Sequence, residues 1–167
     1  MQSFLLSVLA QQYGPSPAEE FVAAFPDPWL LWESGTWSPA QATTLSLTIP
    51  RGTTSSSTPS VQVSTGGEAL AFQLRLQPGK TEIVIGRAPP CELVINDATL
   101  SKRHATLIRG EWGWSLKDDG SRNGTWVSEV IIAPGRPVAL PPGSRVRLGS
   151  ARLLFLDSAG LHARLKR

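Results

Sequence analysis

Residues 86–125 read GRAPPCELVINDATLSKRHATLIRGEWGWSLKDDGSRNGT, and this stretch decides the fold. Three polar clusters punctuate it: Gly86-Arg87, Ser101-Lys102-Arg103-His104, and Ser121-Arg122-Asn123-Gly124-Thr125. Between them lie Leu93-Val94-Ile95, Ala105 to Arg109 and Trp112 to Leu116, apolar runs of strand length. Each cluster is therefore expected at a strand end. Arg87, Lys102, Arg103 and Arg122 would then meet on one rim, together with a hydroxyl and an amide. Donors of this kind hold an oxyanion, most simply a phosphate.

Outward from this stretch the apolar period stays at two. On the N-terminal side Leu70, Phe72, Leu74 and Leu76 alternate with Ala71, Gln73 and Arg75, the pattern of a half-buried strand. Pro78-Gly79 makes a turn into Ile83-Val84-Ile85. On the C-terminal side come Trp126-Val127 and Val130 to Ile132. A short strand near Val138 follows, bracketed by Pro134-Gly135 and Pro142-Gly143, and then Arg145 to Leu148 and Arg152 to Leu156. Short strands at close spacing, with no helical pattern between them, make this an all-β sandwich or barrel.

Residues 1–36 read differently, as an N-terminal extension that is helical and then irregular. Phe4, Leu5, Val8 and Leu9 fall at helical spacing. Ser16-Pro17-Ala18-Glu19 is a helix start, with a hydroxyl cap and a carboxylate three residues on. Pro26 and Pro28 end that helix before Trp29-Leu30-Leu31-Trp32. These apolar residues are expected either to dock on the main domain as a layer or to form a partner-binding face. Residues 37–66 are rich in Ser, Thr and Pro, the composition of a linker, although Leu45, Leu47 and Ile49 alternate as an added strand would. Residues 158–167 form a short basic tail expected to fray.

The 167 residues carry 16 Lys and Arg against 13 Asp and Glu, unevenly placed. Residues 1–66 hold one cation against four anions, net −3, and residues 67–167 hold 15 against 9, net +6. The basic half is the patterned half, so it favours an acidic partner, but the charge is too modest for a nucleic-acid signature and no aromatic-basic stacking motif supports one. The start, MQSFLLSVLAQQ, lacks a basic residue before its apolar run and is expected to be a helix, not a signal peptide. No run approaches membrane-spanning length, so no membrane insertion is expected. The single cysteine, Cys91, cannot build a disulfide framework and fits a reducing, cytoplasmic setting.

The order GR, then SxxH, then DGSxNGT resembles the forkhead-associated (FHA) domain over residues 67–157. The resemblance implies a β-sandwich of about eleven strands whose loops at one end bind phosphothreonine peptides. It implies that Arg87 holds the phosphate, that Ser101 donates a hydroxyl to it, and that Asn123 grips the peptide backbone. Lys102, Arg103 and Arg122 occupy variable positions where a cation can add to the contact. Thr99 stands where the flanking peptide residue is often read, and being short and neutral it argues against a strong demand for an acidic residue there. Gly86, His104, Gly124 and Thr125 would shape the loops. The expected partner is a phosphothreonine protein, a Ser/Thr kinase or its substrate, with self-association through a phosphorylated linker threonine as a further route. The alternative is a structural FHA-like assembly domain of a secretion or envelope complex that needs no phosphate; retention of the arginine, serine and asparagine argues against it.

Other chemistries fare worse. A hydrolase would need Ser101 activated by His104 and His104 oriented by Asp118 or Asp119, yet no GxSxG elbow is present. No enzyme, cofactor or metal site is expected, since His162 lies far off in the tail and Cys91 lacks partners at ligand spacing. Gly79-Lys80-Thr81 copies the end of a P-loop, but Leu74 stands where its first glycine belongs.

Overall fold

A computed structural model describes residues 2–33 and 68–166. Its strands are β1 (Gln2–Leu5), β2 (Trp29–Trp32), β3 (Leu70–Gln73), β4 (Glu82–Gly86), β5 (Leu93–Val94) and β6 (Ala105–Gly110). They continue with β7 (Gly113–Asp118), β8 (Thr125–Val127), β9 (Val130–Ile131), β10 (Val138–Ala139), β11 (Arg145–Leu148) and β12 (Ala151–Leu156). Three helices accompany them: α1 (Leu6–Tyr13), α2 (Ala18–Ala24) and α3 (Ser158–Leu165). One sheet has seven strands in the order β1-β3-β2-β12-β11-β8-β9, the other five in the order β10-β7-β6-β4-β5. Twelve strands among the described residues compare with the eleven or so expected. The sheets pack face to face on Leu30, Trp32, Phe72, Ile85, Leu107, Leu116, Leu148 and Phe155, all buried, as the period of two requires.

The N-terminal extension departs from expectation. Phe4 and Leu5 are not helical; they lie in β1, paired with Ala71 and Leu70, and the helix starts only at Leu6. The irregular stretch at Trp29–Trp32 is β2, a central strand held between β3 and β12. Residues 2–33 are therefore part of the sandwich and not an appendage to it. Their apolar residues serve a second core on the outer face of the seven-stranded sheet, where Phe4, Leu9, Phe21, Trp29 and Leu31 meet Leu156, Leu161 and Leu165. That core accounts for two further corrections. β3 is buried on both faces, Ala71 as fully as Leu70, because the helical layer covers the side expected to face water. The C-terminal tail does not fray: Asp157 caps α3 by accepting the Gly160 N–H at 2.7 Å, and Leu161 and Leu165 are buried. His162 Nε2, also buried, lies 3.2 Å and 3.0 Å from the Tyr13 and Ser16 carbonyls and so ties α3 to the α1–α2 connection.

The expected start of α2 is right in position but not in chemistry. Pro17 is the N-cap and no side chain caps the helix; Glu19 and Glu20 in the first turn favour it instead, their charge facing the positive end of the helix dipole. The expected linker, residues 37–66, with Leu45, Leu47 and Ile49, lies outside the described residues.

Candidate functional site

Strand register carries the polar clusters to one end of the sandwich. In the five-stranded sheet Ile85 pairs with Ala105 and Ala105 with Asp118. In the other sheet Leu148 pairs with both Thr125 and Ala151. The loops that follow β4, precede β6, join β7 to β8 and join β11 to β12 therefore share one rim.

The loops are fastened to each other from below. The Arg87 N–H donates to the Ser101 carbonyl at 2.9 Å. Gly86 is required by space: a Cβ there would sit 2.0 Å from the Lys102 carbonyl oxygen and 2.7 Å from Cys91 Sγ. Cys91 is only partly buried, and its thiol donates to that same carbonyl at 3.1 Å. His104 is fully buried and spans two loops. Its Nδ1 accepts the Ser101 main-chain N–H at 3.1 Å, so Nε2 carries the proton and donates to the Gly124 carbonyl at 3.0 Å. Burial pushes its pKa below the usual imidazole value, outweighing the carboxylates around it, so the ring stays neutral as this double role needs. With both nitrogens engaged in the backbone, His104 has none to offer the Ser101 hydroxyl.

Asp118 is the second fastening, and sequence reasoning missed it, having weighed it only as a carboxylate to orient His104 in a hydrolase. One of its oxygens accepts the Gly120 and Ser121 N–H groups at 2.8 and 2.9 Å. The other accepts the Ser121 and Thr125 hydroxyls at 2.6 and 2.5 Å. Burial works to raise this carboxyl's pKa, but the hydrogen bonds from Ser121, Thr125 and Gly120 prevail and hold it below the usual carboxylate range. The signal was present locally: Asp followed by Gly-Ser is an Asx-turn sequence. Gly124, at φ +83°, closes the loop with the Trp126 ring packed against it.

On this frame Ser101 Oγ accepts the Arg122 N–H at 3.0 Å, which leaves its own proton to give to a ligand. Asn123 Nδ2 donates to the Thr99 carbonyl at 2.7 Å, which orients the amide and turns its oxygen to other use. Arg87, Lys102 and Arg122 are exposed, and among the described residues none of these side chains forms an ion pair. Arg103 differs from the expectation that all four cations would gather. It is held by Asp119 at 2.8 Å, and Asp119 also accepts from Thr106 at 2.6 Å and faces Lys117 at 3.7 Å. Thr99 differs too. Its hydroxyl donates to Asp97 at 2.6 Å and accepts the Ser150 N–H at 2.8 Å, so it is spent inside the loops. The β11–β12 turn was also missed as a participant. It supplies that Ser150 contact, and its Gly149 N–H donates to the Gly124 carbonyl at 3.0 Å. No local signal marks it, because its partners lie about 25 to 50 residues away in the chain.

A largely antiparallel sandwich whose loops at one end carry exposed cations defines the class of protein. The family model of the FHA domain matches residues 83–149. The oxoglutarate dehydrogenase inhibitor of Corynebacterium efficiens is 32% identical over 142 residues, 85% of this chain and 92% of that protein. FhaB of Mycolicibacterium smegmatis, an FHA domain-containing protein, is 36% identical over 75 residues, 45% of this chain and 47% of that protein. With several such relatives, then, the match spans only about half of their own length. The FHA domain of the CT664 protein from Chlamydia trachomatis superposes with a TM-score of 0.50 at 22% identity, over 78% of this chain and 98% of that one. The chain belongs to the FHA family.

Proposed function

We propose that this protein is a phosphothreonine reader that recruits or assembles phosphorylated partners in Ser/Thr-kinase signalling, and not an enzyme. The observation that carries this is the division of labour at the rim. Buried His104 and Asp118 fix the β5–β6 and β7–β8 loops, while the Arg87, Lys102 and Arg122 side chains above them pair with no described residue. A phosphothreonine brings close to two negative charges and three acceptor oxygens. Arg87 offers it a paired contact, Ser101 a hydroxyl proton, and Asn123 an amide oxygen for a peptide N–H. Lys102 and Arg122 add charge; Arg103 contributes only by leaving Asp119.

The test is binding of the full chain to matched phosphothreonine, phosphoserine and unphosphorylated peptide libraries, with Arg87→Ala alongside. Selective phosphothreonine capture, weakened in the variant by about 2–5 kcal/mol, is the expected result. Equal capture of unphosphorylated peptides by both proteins would return the chain to a structural assembly role.

A second source of the same ligand lies in the chain itself. The Glu33 N–H donates to the Arg152 carbonyl, and Trp32 pairs with Leu70, so the segment holding Thr43 to Thr58 departs from and returns to the rim end. Kinase treatment of the full chain should then reduce capture of added phosphopeptide. Phosphate on those threonines without any loss of capture would dismiss this route.

A further inference from the structure

The outer face of the seven-stranded sheet is only partly covered. The helical layer packs on β1, β3, β2 and β12, and Leu154 is the last residue in its contact. Beyond it the outward positions are Arg152 on β12, Arg145 and Arg147 on β11, and Trp126 on β8. Register places them together: Arg147 lies opposite both Arg152 and Trp126, and Arg145 opposite Leu154. Cross-strand partners share a face, so three guanidinium groups lie on the same face as one indole. Arg147 lies flat on that indole, its guanidinium carbon 3.3 Å from the ring centroid, and donates to the Gly149 carbonyl at 3.4 Å. Arg145 and Arg152 are exposed and, among the described residues, unpaired. The nearby carboxylate of Glu33 faces Arg164 instead, at 3.7 Å.

This strip is continuous with the rim. The Trp126 ring packs against Gly124, next to Asn123, and Gly149 donates to Gly124. From Trp126 to Arg152 is two strand spacings, about 10 Å, or roughly three residues of extended peptide. Charge of one sign beside an anchoring site selects a ligand of the opposite sign and strengthens its hold.

We propose that Arg145, Arg147 and Arg152, on the face they share with Trp126, bind an acidic stretch of about three residues that flanks the phosphothreonine in the same partner. This rests on the reading of the rim as a phosphothreonine site. It gives the ligand a second requirement, carboxylates, read by a sheet face and not by the loops.

The experiment uses the full chain and three phosphothreonine peptides: one with neutral flanks, and two carrying glutamate at the three flanking residues, on the N-terminal or the C-terminal side. Each is titrated against wild type and Arg145→Glu/Arg152→Glu, both at exposed positions. One glutamate peptide is expected to bind wild type about tenfold tighter than the neutral peptide, a gain that shrinks with added salt. The double variant should lose that gain while holding the neutral peptide within about twofold of wild type. Neutral binding with no glutamate gain on either side, or a gain the variant keeps, overturns the strip alone. No binding of any phosphopeptide overturns the rim reading, and the strip's proposed role falls with it.

Discussion

Replacing Asp118 tests whether the rim is held from below as described. The carboxylate is 1% exposed and accepts four hydrogen bonds. In Asp118→Ala the two hydroxyl donors can rotate to other acceptors, but the Gly120 and Ser121 amides are fixed by the backbone. An orphaned donor costs about 1–3 kcal/mol, so two of them cost about 2–6 kcal/mol of folding stability. Asp118→Asn keeps one oxygen for those amides and should lose only about 1–2 kcal/mol. The two variants also differ from wild type in pH dependence. The folded pKa of Asp118 lies below its unfolded value, so its contribution is complete above about pH 4 and fades as pH falls through the folded value. Urea unfolding of the three proteins, repeated between neutral and acid pH, measures both effects. The gap between wild type and Asp118→Asn should narrow on the acid side. A loss below about 0.5 kcal/mol in Asp118→Ala, or a gap that does not change with pH, would refute the fastening argument.

Gly86→Ala drives a methyl onto the Lys102 carbonyl, so it should destabilise by about 1–3 kcal/mol and weaken phosphopeptide binding; a variant with wild-type melting and affinity would show the loops to be compliant. His104→Gln should lower stability at neutral pH. Because burial depresses the folded pKa of His104, its contribution is present above about pH 6.5 and lost as pH falls, so the variant's stability should decline less between pH 7.5 and 5.5 than wild type's. Leu161→Ala, at a fully buried position of α3, should cost about 2–5 kcal/mol in urea unfolding. A cost near zero would mean that the C-terminal helix is dispensable to the fold.

Much of the sandwich was legible because a period of two is a local property. Leu70 and Phe72, Ile83 and Ile85, and Val146 and Leu148 all face the core their alternation assigns them. The outer layer was not legible for the same reason inverted. Trp29–Trp32 is apolar at every position, so it has no period, and nothing local separates a strand buried on both faces from an irregular apolar run. The tail misled because its charges outweigh two buried leucines whose partners lie some 140 residues earlier, in Phe21 and Leu9.

At the site, the sequence by itself determined the residue types, their order and the loops that carry them. Arg87, Ser101 and Asn123 could be named because the GR, SxxH and DGSxNGT motifs that carry the FHA resemblance are written locally. Only the tertiary structure decided how those groups are used. It gave Arg103 to Asp119 and the Thr99 hydroxyl to Asp97 and Ser150, and it made His104 and Asp118 the fastenings. It also set three arginines of the β11–β12 hairpin on one face with Trp126 of β8. The physical reason is that a charge or hydroxyl bonds to whatever lies within about 3 Å, and strand pairing alone decides which distant residue that is.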